Sequence, residues 1–124
     1  MPEFSEKSKA RLSTCCQELQ DVFNAVIREV DCTIICGFRN EEDQNKAFEQ
    51  GFSKKKWPDG NHNKQPSLAV DVCPYPIDWK DEKRFKEFSE VVKCKAAELG
   101  ISITWGGDWQ DFVDFPHWEV KANG

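Results

Sequence analysis

Ser67-Leu68-Ala69-Val70-Asp71-Val72-Cys73, closed by Pro74-Tyr75-Pro76, is the stretch on which the fold turns. Its apolar and β-branched residues read as a buried strand, and the prolines that follow stop it. One residue has no place there on packing grounds. An aspartate among apolar neighbours is costly unless it is paired or holds a cation, so Asp71 marks this strand as a place where chemistry is built.

Further elements flank it. Upstream, Cys32-Thr33-Ile34-Ile35-Cys36 is a second apolar run, closed by Gly37. Downstream, Ile101-Ser102-Ile103-Thr104-Trp105 alternates and breaks at Gly106-Gly107, and His117-Trp118-Glu119-Val120-Lys121 makes a last short strand. Apolar residues recur at helical spacing from Leu12 through Cys15 or Cys16, Leu19, Val22, Phe23, Val26 and Ile27 to Val30, which predicts one helix over residues 12–30. Asn40 is placed to cap a second helix over residues 41–50, with Gly51 as its stop. Asp81 opens a third, whose apolar face is Phe85, Phe88, Val91, Val92, Ala96 and Leu99 before Gly100. Residues 52–66 are polar and aperiodic, a loop long enough to be functional. Short strands interleaved with helices, without a glycine-rich strand-turn-helix fingerprint, predict an α+β fold: a small antiparallel sheet with helices packed on one face. No repeat or linker interrupts residues 1–124, which read as one domain.

The chain has 124 residues, of which 39% are hydrophobic and 31% charged, a composition too apolar for disorder. Its net charge of −5 argues against a nucleic-acid binder held by phosphate neutralisation and against a cationic membrane-surface helix. No apolar run approaches the ~20 residues of a membrane span. The opening Met1-Pro2-Glu3-Phe4-Ser5-Glu6-Lys7 lacks the apolar core of a secretory signal, so a cytoplasmic chain without stable membrane association is expected. The cysteines Cys15, Cys16, Cys32, Cys36, Cys73 and Cys94 form no C-x-x-C pair. They read as free thiols in packed segments; the alternative is a disulfide-stapled secreted domain without metal. Lys54-Lys55-Lys56 reads as a solvated loop, and Trp79, Trp105, Trp109 and Trp118 as core or cleft wall.

Only two histidines occur, His62 and His117, both in loop-rich, polar surroundings. With Asp71 they supply the three nitrogen and carboxylate donors that a catalytic zinc needs, leaving a fourth position open. Water activated there needs a base that is not a ligand, and Asp114, three residues before His117, is nearest in sequence. A reaction through a tetrahedral oxyanion also needs a fixed cation, for which Arg39 stands just past the first strand.

In this order and spacing, Gly37-Phe38-Arg39 with Gln44, His62-Asn63, Pro66 through Val72, Pro74 through Trp79, Trp105-Gly106-Gly107-Asp108-Trp109 and Asp114-Phe115-Pro116-His117 are specific. Over nearly the whole chain they resemble the M15 zinc peptidases, the D-alanyl-D-alanine carboxypeptidases and L-alanyl-D-glutamate endopeptidases, and most closely the phage endolysin type. The resemblance implies a fold of the hedgehog/DD-peptidase kind, with Zn2+ in a cleft on the sheet held by His62, Asp71 and His117. It implies Asp114 as general base, Arg39 as oxyanion partner, and Gln44 and Trp109 as substrate contacts, Trp109 at the cleft rim. The implied activity is cleavage of the peptidoglycan stem peptide, as an L-alanyl-D-glutamate endopeptidase acting in phage lysis. A D-alanyl-D-alanine carboxypeptidase and a non-catalytic zinc-bearing wall-binding module are the alternatives. Such a chain is expected to be a monomer that gathers in the host cytoplasm and reaches the wall once the membrane is permeabilised. Gly60 stands where the family often has serine, and the His62–Asp71 interval is long.

Overall fold

The computed structural model describes residues 2–121. Helix α1 (Glu6–Leu12) and helix α2 (Gln17–Val26) lead into strand β1 (Cys32–Cys36), followed by α3 (Glu41–Glu49). Strand β2 (Ala69–Pro74), helix α4 (Glu82–Glu98) and the short strands β3 (Thr104–Trp105) and β4 (His117–Glu119) complete the fold. The four strands form one antiparallel sheet in the order β1-β2-β4-β3, so the expected α+β class with a small antiparallel sheet is what is found.

Of the predicted helix over residues 12–30, only α2 is helical beyond Leu12, which is the last residue of the separate helix α1. Ser13 and Thr14 turn their hydroxyls back onto the carbonyls of Ala10 and Arg11, each at 2.6 Å, and end α1 without glycine or proline. The Cys15-Cys16 segment then leaves helical geometry to meet Ser67, with Ser67 N donating to Thr14 O and Cys16 N to Ser67 O. Leu12, Cys15, Cys16 and Leu19 stay buried through the break, so the apolar spacing survived while the backbone did not continue. Caps elsewhere are as read. Asn40 accepts from Asp43 N, Asp81 accepts from Arg84 N, and Gly51 and Gly100 follow α3 and α4 at positive φ. Leu99, expected on the buried face of α4, is instead exposed at the helix end. Only Thr104–Trp105 of the predicted third strand pairs, because Ile101 N still donates to Ala96 O and closes the helix.

Helices α2 and α4 cover one face of the sheet. Val70 and Val72 of β2 and Trp118 of β4 point into them, together with Phe23, Phe85 and Val92. Trp118 is fully buried, edge-on to Phe23 and stacked on Trp105 at 5.8 Å, contacts each worth ~0.5–1.5 kcal/mol beyond simple burial. Helix α1 takes another position, along the outer edge of β1. There Ser8 Oγ accepts from Ile34 N at 3.0 Å and Arg11 donates to Ile34 O at 3.1 Å. All six cysteines are free; Cys15, Cys16, Cys32 and Cys73 are buried, but Cys94 is exposed and not the packing residue expected. Trp79 is likewise largely exposed, its ring lying over Phe85 rather than inside the core.

Because side chains alternate along a strand, Asp71, His117 and Glu119 emerge on the face opposite Val70, Val72 and Trp118. The β2–β4 register sets Asp71 directly across from His117.

Candidate metal centre

His62 lies on a 3-10 turn (Asn61–Asn63) inside the long 52–66 loop. Its Nδ1 is 2.8 Å from the carbonyl of Gly37. A carbonyl only accepts, so Nδ1 carries the proton and the lone pair of Nε2 faces Asp71 Oδ1 at 3.3 Å. His117 repeats the arrangement with its nitrogens exchanged. Its Nε2 is 2.7 Å from Glu119 Oε1 and its Nδ1 is 3.3 Å from the same Asp71 oxygen. Two imidazole lone pairs aimed at one carboxylate oxygen repel it unless a proton or a cation lies between them.

His62 Nε2 and Asp71 Oδ1 are buried without a hydrogen-bond partner, and one donor atom from each of His62, Asp71 and His117 lies within 4.8 Å of the others. Two nitrogens and one carboxylate oxygen, with a cavity of about 400 Å³ on their open side, suit a divalent metal that keeps a coordination position free. Without a cation, protons take its place. Burial alone would lower His62, but Asp71 raises it to about 10. His117 is raised against its burial by Asp71 and Glu119, and Asp71, despite burial, is held well below the usual carboxylate range by the two histidines.

Around these donors the chain commits further groups. Asp71 Oδ2 meets the Arg39 guanidinium at 3.3 Å, and Arg39 also donates to Gln44 Oε1 at 3.1 Å. Gln44, expected as a substrate contact, is 1% exposed and has every hydrogen-bonding position in use. Its Nε2 donates to Ser53 Oγ and Lys55 O, while Oε1 accepts from Arg39 and Asn63. It anchors the loop to Arg39 at the cavity wall. Asp114 Oδ2 is 3.9 Å from His117 Nδ1. Burial, then the nearby Asp71 charge, push its carboxyl up to about 6. Trp109 lines the cavity with its ring centroid 5.1 Å from that of His117.

The sequence reading gave Glu119 and Asn63 no role in supporting the donors. Glu119 orients His117, is itself held by Asn61 at 2.9 Å, and has its pKa lowered chiefly by the His117 hydrogen bond. The signal was present: in His117-Trp118-Glu119, two positions along a strand return to the same face. Asn63 explains Gly60. Its Oδ1 accepts from Gly60 N, and a Cβ at Gly60 would stand 2.8 Å from that oxygen, so glycine leaves room for the amide that braces Arg39 and Gln44. Gly37 is similarly confined. A Cβ there would meet Thr14 Oγ1 and the Arg11 carbonyl, a backbone atom that cannot yield cheaply. Gly37→Ala is expected to lose ~1–3 kcal/mol in urea unfolding and to displace the carbonyl that sets the His62 tautomer. An unchanged midpoint would show that the α1–β1 junction adapts.

The family of phage L-alanyl-D-glutamate peptidases matches residues 2–122 of this chain. The L-alanyl-D-glutamate peptidase of Escherichia phage T5 is 30% identical over 124 residues, covering 96% of this chain and 89% of its own. The peptidoglycan L-alanyl-D-glutamate endopeptidase CwlK of Bacillus subtilis (strain 168) is 30% identical over 115 residues, 80% of this chain and 66% of that protein. In fold, the crystal structure of the Serratia marcescens L-Ala D-Glu endopeptidase ChiX superposes with a TM-score of 0.81 at 24% identity, covering 96% of this chain and 90% of the other. A match across 2–122, with a relative at 30% identity along almost its whole length, places the chain in one family: it belongs to the phage L-alanyl-D-glutamate peptidases.

Proposed function

We propose that the chain is a zinc-dependent endopeptidase that cuts the L-alanyl-D-glutamate bond of the peptidoglycan stem peptide and serves in phage lysis. The observation that carries this reading is the convergence of two imidazole lone pairs and one carboxylate oxygen beside a cavity whose wall also holds Asp114. His62, Asp71 and His117 would hold zinc, which when bound would supply Lewis-acid activation of water and of the substrate carbonyl. Asp114, 3.9 Å from His117 Nδ1 on the cavity wall, would take the proton of the attacking water and later return it to the departing amine. Arg39 fixes the second oxygen of Asp71 and lines the same cavity as a permanent positive charge facing the developing oxyanion. Trp109 walls the cleft beside His117.

Among the described residues no helix is long and apolar enough to cross a membrane. In this reading the chain reaches the wall once another agent has opened the membrane, and acts there as a monomer. Digestion of purified peptidoglycan, followed by mass analysis of the fragments, tests the reading. New amino-terminal D-glutamate is expected; release of terminal D-alanine alone would show a carboxypeptidase instead.

Glu119→Gln keeps the shape of the residue but weakens its hold on His117. Zinc affinity is expected to fall about 10–100-fold in a competition titration, with the fold intact. Unaltered affinity would remove Glu119 from the support of the site.

A further inference from the structure

The three consecutive lysines of the long loop are not equivalent in the structure. Lys54 and Lys55 line the cavity, whereas Lys56 is outside its lining and sits over the Phe48 ring at 4.9 Å. The Lys54 ammonium reaches the other loop of the cleft, 5.7 Å from the centroid of Phe112. The ring attracts this cation without using any of its three N–H donors. Neither Lys54 nor Lys55 has an ion-pair partner among the described residues. The segment is nevertheless anchored, since Lys55 O accepts from the buried Gln44 at 2.6 Å.

The substrate chemistry presents what these cations lack. D-glutamate has one amine and two carboxyl groups. In an L-alanyl-D-glutamate bond within a longer peptide the amine is acylated, one carboxyl continues the chain, and the other remains a free anion beside the bond to be cut. Asp59, Asp111 and Asp114 on the cavity wall repel such an anion. Asp114 hands its proton to the nitrogen of D-glutamate, so that residue sits at the Asp114 end of the cleft. Phe112, two positions earlier in the same loop, carries the Lys54 ammonium to that end.

Resting on the cleavage proposed above, we propose that Lys54, with Lys55 beside it, binds the free carboxylate of the D-glutamate residue and selects substrates that bear it. The test uses the zinc-loaded full chain and two synthetic stem peptides that differ only in this group, carboxylate or carboxamide. Wild-type kcat/KM is expected to favour the carboxylate about tenfold, mainly through KM. Lys54→Gln, and more fully Lys54→Gln with Lys55→Gln, should bring that ratio towards one. Lys56→Gln removes the same charge outside the cleft and should keep the wild-type ratio. A wild-type ratio of one, a ratio unmoved in the double variant, or an equal loss in Lys56→Gln overturns the lysine site while leaving the cleavage reading in place. Failure to cut either peptide at the L-alanyl-D-glutamate bond overturns both.

Discussion

Chains carrying His117→Ala are expected to purify folded, without zinc and without wall-degrading activity. Three protein donors are the minimum of a catalytic zinc site, and this substitution leaves two. It also strands Glu119, whose Oε1 loses its 2.7 Å partner on the β4 face. The core side of β4 is untouched, because Trp118 points the other way into Phe23 and Trp105. Metal content by mass spectrometry and near-ultraviolet circular dichroism on one preparation separate the two effects. A variant that retained a full equivalent of zinc would show that the donors are other groups.

Asp114→Asn should behave differently. The amide preserves size and one acceptor oxygen but cannot accept the proton of the attacking water. Zinc content and substrate affinity are expected to persist while kcat falls by roughly 10²–10⁴. The pH profile gives an independent sign. The base works ionised, and burial together with Asp71 raises its carboxyl to about 6, against the opposing pull of His117, His62 and Arg39. Wild-type activity should therefore rise with pH up to about 6. A bound divalent cation adds to the opposing pull and moves that limb lower. The variant should lose the limb. Near-normal turnover in Asp114→Asn would remove it from the mechanism.

Much of this site was legible before any coordinates. Asp71 stood out because a lone carboxylate in an apolar strand needs a reason, and the two histidines were the only ones available. The geometry that joins them was not legible. Asp71 lies opposite His117 through the β2–β4 register, and no local pattern specifies which residues of two distant strands face each other. The break between α1 and α2 was hidden for a related reason. Apolar spacing reports which side chains are buried, and these remained buried while the backbone left the helix to meet Ser67. The bracing role of Gln44 was not legible either, because its four internal partners come from separate parts of the chain.

The placement of α1 has a further meaning for how copies of this chain meet one another. A sheet edge with open amides and carbonyls is a template for another chain, and crowding makes such pairing more frequent. At the β1 edge Ser8 and Arg11 occupy the outward amide and carbonyl of Ile34. At the opposite edge β3 is only two residues long, too short to seed an added strand. Each end of the sheet thus leaves less open strand edge for another chain to pair with.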